Sequence, residues 1–318
     1  SKGFTDAVIL TDTMKQFQKD MGLNGRMGVN KLVFPDSHAV ATINEPPSYV
    51  AQKQNRGVVR TSDTERQAIQ NMQSIGHRRT PTAGLMTALG EDLVFVMFGG
   101  TPVEHLNKKH PLRRSKEGKN LSIRMDYVDA TYIAEVLEKA GPDSKIYYPV
   151  GISKVGRHGM QGPNPQNNKF LRHMVTSTWS LLDMKNNQQH KDYFWLTVAQ
   201  SSGYAKVEKK NHDEVLSKIE GVFREQFRDA IYLAREYLIT GELNAEAFSK
   251  AAFGTGPKPA EMSMALIDAI MAVAALDEAV ATGTEDKLET SLSFEIDGLT
   301  DGPGNMLVNM GYGPLTVA

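Results

Sequence analysis

Lys145–Asn168 reads KIYYPVGISKVGRHGMQGPNPQNN, and Ser291–Asn305 reads SLSFEIDGLTDGPGN. In the first stretch KIYYPVGI (Lys145–Ile152) has the length and apolar composition of a strand. It is followed by Ser153-Lys154-Val155-Gly156-Arg157 and then by a Gly/Asn/Pro-rich turn region, 156–168, that includes Asn164-Pro165-Gln166. An arginine delivered by a tight glycine turn at a strand end, with amides behind it, makes an anion clamp. The plainer alternative is a solvated loop arginine. In the second stretch SLSFEI (Ser291–Ile296) reads as a strand running into Asp297-Gly298. The Asp297 carboxylate and the Gly298 carbonyl are the oxygen ligands that hard divalent cations take. An ordinary Asp-Gly turn competes with that reading, and Leu299 occupies the place where a calcium loop needs its second ligand.

Working outward, Thr5–Met21 has helical spacing, and 22–57 is dotted with Pro and Gly and irregular. Ser62-Asp63-Thr64-Glu65 opens a helix in capping-box style that ends near Gly76. DLVFVMF (Asp92–Phe98) is expected to be a buried strand closed by Gly99-Gly100, and Asp126–Ala140 a helix closed by Gly141-Pro142. Helices dominate from 169 to 290. The clearest is Asn211–Thr240, with Val215, Ile219, Val222, Phe223, Phe227, Ile231, Ala234 and Leu238 on one stripe and Gly241 past its end. Pro259 starts a Met/Ala-rich helix whose stripe, Met264, Ile267, Met271 and Ala274, reads as core. The fold class is α+β, mostly helical. His212-Asp213-Glu214 sits at a helix start, where acidic residues serve the helix dipole.

At 318 residues, 40% hydrophobic and 23% charged, the composition is that of a globular chain and excludes collagenous or wholly disordered classes. No apolar run is long enough to span a bilayer, and SKGFTDAV (Ser1–Val8) lacks the basic start and apolar core of a secretory signal. Zero cysteines exclude disulfides, thiolate metal sites and a cysteine nucleophile. The net charge of −1 conceals an asymmetry: 50–125 holds 13 Lys/Arg against 6 Asp/Glu, and 242–318 holds 3 against 12. Lys108, Lys109, Arg113, Arg114, Lys116, Lys119 and Arg124 crowd one basic stretch, which is either a solvated loop or a phosphate-contacting patch. Walker, dinucleotide-binding, zincin and nucleophile-elbow motifs are absent from the sequence.

The two quoted segments, in this order, resemble the single-subunit DNA-directed RNA polymerases of bacteriophages and mitochondria, and most of all the virion-packaged branch of Schitoviridae phages. Those enzymes carry a T/D-x-x-G-R motif followed by an N-P-Q turn, similar to Ser153–Arg157 and Asn164-Pro165-Gln166. Their motif A is a strand ending in Asp-Gly with a Gly four residues on, similar to Asp297-Gly298 and Gly302. The motifs cover about 45 residues of the 318. Ser153 replaces Thr or Asp and keeps a hydroxyl, and Gly159 stands where many relatives have Tyr. Motif B (R-x-x-x-K with a later Y-G) and motif C (H-D) are not in the sequence: His212-Asp213 precedes motif A, and Tyr312-Gly313 lacks the upstream basic residues.

The resemblance implies part of a right-hand polymerase fold. Residues 1–144 would be an N-terminal, thumb-like region with the basic patch, 145–180 a palm segment, 181–290 a helical palm insertion, and 291–318 the motif A strand leading toward the fingers. It implies template-directed nucleotidyl transfer with two Mg2+ ions. Asp297 and Gly298 would be the catalytic, metal-holding pair. Ser153, Lys154, Gly156 and Arg157 would contact nucleic acid, with Lys108, Lys109, Arg113 and Arg114 adding the basic patch. Implied partners are a DNA template, an RNA product, nucleoside triphosphates and the polymerase part bearing motifs B and C, on the same polypeptide or on a partner subunit. Without that part the chain is expected not to polymerise. The implied location is the phage virion and, after ejection, the host cytoplasm. A split, two-subunit polymerase and a non-catalytic nucleic-acid-binding or virion structural protein are the alternative readings.

Overall fold

The computed structural model describes residues 41–47, 53–54, 57–58, 62–101, 110–152, 158–204, 210–254 and 260–293. These fall into two compact units: one gathers the described residues up to Val96 and Gly100–Ser177, the other Met97–Gly99 and those from Thr178 onward. The expected helix at Thr5–Met21 and most of the irregular 22–57 stretch lie outside the described residues.

The first unit begins with β1 (Thr42–Ile43) and the short antiparallel pair β2 (Lys53–Gln54) and β3 (Gly57–Val58). Helix α1 (Asp63–Gln73) starts in the expected capping box: the Ser62 hydroxyl accepts from the Glu65 N–H at 3.2 Å, and the Ser62 N–H donates to the Glu65 carboxylate at 2.8 Å. At its other end the buried Gln73 amide donates to the Pro47 carbonyl at 2.9 Å and accepts from the Val150 N–H at 3.1 Å, joining three distant segments. Then come β4 (His77–Arg79), α2 (Pro81–Leu89) and α3 (Glu91–Met97).

DLVFVMF is therefore helix rather than the expected strand. An apolar run of seven fits either state by composition. Here Gly90, at φ 79°, ends α2, and Glu91 and Asp92 fall in the first turn of α3, where carboxylates face the unpaired N–H groups. Val94, Met97 and Phe98 are buried and Val96 is 56% exposed, which is helical rather than alternating spacing.

Helix α4 (Arg113–Ala140) is twice the expected length. Ile123, Tyr127, Ala130, Ala134 and Leu137 are its buried face, so the core stripe occupies the C-terminal two thirds. Arg113, Arg114, Lys116 and Lys119 of the basic run fall in the first third of the same helix rather than in a loop, while Lys108 and Lys109 lie outside the described residues. Straight-chain Arg, Lys and Glu lose little freedom in a helix, and Arg113 pairs with Glu117 one turn on at 2.7 Å. Arg124 is also drawn inward, pairing with Glu91 and lying 4.5 Å over the Phe95 ring.

KIYYPVGI is two strands rather than one, β5 (Lys145–Tyr147) and β6 (Val150–Ile152), parted at Pro149. After them come β7 (His158–Met160), the single-turn α5 (Leu171–Met174) and β8 (Val175–Thr176). The first strands form an antiparallel sheet in the order β1-β5-β4-β8, while β6 pairs with β7 alone.

The second unit opens with β9 (Ser180–Leu182) and continues with α6 (Gln188–Ser201), α7 (His212–Thr240), α8 (Ala245–Phe253) and α9 (Ala260–Thr282). The Asn211 side chain caps α7, and Gly241, in the left-handed conformation at φ 76°, ends it as expected. The expected α9 stripe is core: Met264, Ile267, Met271 and Ala274 are each 3% exposed or less. Its interrupting carboxylates serve packing between helices. Asp277 receives the Arg224 guanidinium of α7 at 2.8 and 3.0 Å, and Glu278 receives Arg235 at 2.9 Å. No helix among the described residues is long and apolar enough to cross a membrane. β10 (Leu288–Thr290) pairs antiparallel with β9. Of the strand expected at Ser291–Ile296, 291–293 are not strand and 294–296 lie outside the described residues.

Candidate nucleic-acid interface

The β6–β7 hairpin is the scaffold of the first sequence motif. Its register is Val150↔Met160, Gly151↔Gly159 and Ile152↔His158, so the strand ends that flank Ser153–Arg157 are paired directly. Ser153, Lys154, Gly156 and Arg157 themselves lie outside the described residues, as do Lys108, Lys109, Asp297 and Gly298. The glycine at 151 leaves room for the exposed Gln161 side chain, which any larger residue would push aside. A Cβ there would come within 2.6 Å of the Gln161 side chain. Across from it, a Cβ on Gly159 would meet only Gln166, at 3.8 Å, so the departure from Tyr at that position leaves room rather than strain.

The amides behind the hairpin are its brace. Asn164 is fully buried; its Nδ2 donates to the Met160 carbonyl at 3.0 Å and the Gly162 carbonyl at 2.8 Å, and its Oδ1 accepts from the Gln166 N–H at 2.8 Å. The Gln166 side chain returns to accept from the Met160 N–H at 3.1 Å. Asn168, 2% exposed, caps α5 through its Oδ1, which accepts from the Phe170 and Leu171 N–H groups. Its Nδ2 donates to the Asp126 carbonyl of α4 at 2.7 Å. Arg172 donates to the Pro165 carbonyl at 3.2 Å and more weakly to that of Gln166 at 3.4 Å. A short amide-rich segment in this way fixes β7 to α4 without needing an apolar core of its own.

That coupling brings Lys169 to the basic part of α4. Its amine lies 3.7 Å from the Asp126 carboxylate, and both side chains are about a quarter exposed. Burial lowers the Lys169 pKa, Asp126 opposes that, and the positive charge of Lys119 lowers it further. Lys119 and Asp126 are seven residues apart and share one face of the helix. Of the expected basic residues, Arg113 is held by Glu117 and Arg114 is exposed. Lys169 escaped the sequence reading, because its partner is 43 positions away and nothing local announces the contact.

Beneath the hairpin, His77 and Tyr148 meet edge-on with ring centroids 5.3 Å apart. Both are buried. Burial lowers the His77 pKa and raises that of Tyr148. Nearby on α4, burial pushes Tyr127 up to about 12, and its hydroxyl donates to the Met86 carbonyl at 3.0 Å.

In the second unit, the last described residues are held by β10 and by Leu292, which is buried and whose carbonyl accepts from the Tyr193 hydroxyl at 3.2 Å. No group of three or more His, Asp and Glu among the described residues could hold a metal ion. A shallow cleft on α7 and α9 is lined by Arg224, Arg228, Tyr232, Arg235 and Asp277. Each of its three arginines is paired: Arg224 with Glu220 and Asp277, Arg228 with Asp229, and Arg235 with Glu278. His212-Asp213-Glu214 is exposed at the α7 N-terminus, as expected of a helix start.

Two comparisons bear on the site. Residues 64–175 match a family model described as a virion DNA-directed RNA polymerase domain. That span holds α4, the β6–β7 hairpin and the Asn164–Gln166 turn, and ends in β8. Over 279 residues, 85% of this chain, the sequence is 26% identical to the virion DNA-directed RNA polymerase of Enterobacteria phage N4. The chain spans 8% of that protein's length. The resemblance expected from the ordered motifs holds: the chain is similar to virion-packaged phage RNA polymerases.

Proposed function

We propose that this chain is part of a virion-packaged, DNA-dependent RNA polymerase of a phage, carrying the nucleic-acid clamp and one half of the metal site of a right-hand fold. The observations that carry the reading are the similarity to a virion RNA polymerase over 85% of the chain and the family match over 64–175, which takes in the first of the two ordered motifs. Residues 1–144 act as the thumb-like region, 145–180 and 291–318 as palm, and 181–290 as the helical insertion. The completed enzyme works on a DNA template, an RNA product and nucleoside triphosphates. It is carried in the particle and acts in the host cytoplasm after ejection. Motifs B and C come from the remaining part of the polymerase.

In this reading Arg157, on the hairpin braced by Asn164, binds the backbone of the template–product hybrid, and Gly156 lets the strand approach closely. Ser153 and Lys154 add polar contacts, and Lys108, Lys109, Arg113 and Arg114 attract the polyanion. Asp297, with the Gly298 carbonyl, holds Mg2+. Two such ions, when bound, activate the RNA 3′-hydroxyl and stabilise the leaving pyrophosphate.

The test uses the polypeptide at its natural length, extending a primed RNA–DNA scaffold. Asp297→Ala should abolish extension and leave hybrid binding in place. Arg157→Ala should weaken hybrid binding and lower its salt slope by about one charge. Undiminished extension by the Asp297→Ala protein would remove the catalytic role.

A further inference from the structure

The amide brace puts a lysine where the sequence shows none. Asn168 ties the turn to the Asp126 carbonyl, and the next residue, Lys169, reaches the Asp126 carboxylate and feels the charge of Lys119, on the helix that also carries Lys116. Lys116 and Lys119 are one turn apart, and Asp126 lies two turns beyond Lys119 on the same face. At a rise of about 1.5 Å per residue, Lys116 and the Lys169–Asp126 pair are roughly 15 Å apart along the helix. A nucleic-acid strand rises about 3.4 Å per phosphate, so that length matches about four phosphates.

The charges on this face do not cancel. Asp126 is the one carboxylate set against Lys169, at 3.7 Å, and Ser122 also donates to it, at 3.4 Å. Glu117, the nearby acid, is engaged by Arg113. Lys119 has no carboxylate within 4.0 Å among the described residues and is close enough to Lys169 to oppose its charge. Three ammonium groups against one carboxylate form a site that an anion would complete. Lys169 is held in place by Asp126 and by the Phe170 ring 5.4 Å away, so less freedom is lost on binding than for a free surface lysine.

We propose that Lys116, Lys119 and Lys169 form a phosphate track for a nucleic-acid strand, running from the base of the β6–β7 hairpin along the first third of α4, with Asp126 as the resident counter-charge that the strand's phosphates replace. The track rests on the nucleic-acid-binding reading above and extends it to residues outside the hairpin.

The experiment measures anisotropy of a labelled RNA–DNA hybrid bound to the natural-length protein, from about 50 to 200 mM salt, where phosphate contacts are most visible. Lys119→Gln with Lys169→Gln should lower the log–log salt slope by about 1.4 to 1.8, as two lost phosphate contacts require. Asp126→Asn should tighten binding several-fold. A purely structural ion pair predicts no gain from that change. Lys169→Arg should keep the wild-type slope. An unchanged slope in the double variant, or no gain with Asp126→Asn, overturns the track. Arg157→Ala, measured in parallel, separates the two claims. If it weakens binding while the lysine variants do not, the clamp stands and the track falls. If the lysine variants alone act, the track stands without the clamp.

Discussion

Asn164→Ala tests whether the amide brace holds the hairpin. The side chain is fully buried and makes three hydrogen bonds, two as donor and one as acceptor. Removing it leaves the Gly162 carbonyl with its bond from Asn167 at 3.0 Å, but takes that support from the Met160 carbonyl and the Gln166 N–H. A buried polar group left unpaired costs about 1–3 kcal/mol, and Gln166 and Asn167 are exposed, so water reaches part of the turn. The expected cost is about 2 kcal/mol, or roughly thirty-fold more frequent local opening. Hydrogen exchange read by mass spectrometry on peptides covering 158–172 measures it directly, because opening free energy sets the exchange rate there. Asn164→Asp is the sharper companion. It keeps the acceptor for Gln166 but turns an oxygen toward two carbonyls, so exchange should be at least as fast as in the alanine protein. Exchange within about threefold of wild type for Asn164→Ala would refute the brace, since it would bound the loss below the cost of even one unpaired group.

Two further outcomes follow from the packing. Burial holds the His77 pKa below its ordinary 6.5, so the neutral ring favours the folded state. That stability is fully present above about pH 6.5 and is lost as pH falls from there toward the depressed folded value, because the unfolded chain takes up the proton first. The stability difference between wild type and His77→Gln should therefore shrink over that range in urea titrations; a difference constant with pH would show that His77 does not titrate across folding. Arg224→Met removes a pair with Asp277 and a guanidinium 5.5 Å over the Trp195 ring. The pair is about a third exposed, so the loss should be about 1 kcal/mol, with a changed tryptophan emission, while Arg228→Met on an 83% exposed side chain should change neither. Equal melts for the two proteins would remove the clamp between α7 and α9.

Signals carried by neighbouring residues were legible in the sequence. The Ser62–Glu65 capping box and the α9 core stripe each depend on contacts within a few positions and form as read, and the α7 stripe ending at Gly241 does so except at Val222, which is exposed, and Leu238, which is half-buried. Signals that tertiary context decides were not. DLVFVMF has no periodicity long enough to separate helix from buried strand. The described part of the basic run, from Arg113, belongs to α4 because its continuation, from Ile123 on, packs in the core. KIYYPVGI divides at Pro149 because its halves find different partners, β1 and β4 for one and β7 for the other. The Asn164–Gln166 turn was visible as a motif, but its role as a hydrogen-bonded cage depends on the fold, as does the approach of Lys169 to Asp126 and Lys119.

The sheet order β1-β5-β4-β8 has a consequence for any attempt to isolate this part of the chain. Its four strands come from Thr42, Lys145, His77 and Val175 onward, so the family-matched span, 64–175, omits β1 entirely and ends within β8. A fragment cut at those limits would bare the outer N–H and C=O groups of β5, a row open to pairing with another copy. It would also leave the Gln73 amide without the Pro47 carbonyl. Starting near residue 41 and continuing past Thr176 keeps all four strands of the sheet, so a fragment should be defined by strand pairing rather than by sequence similarity.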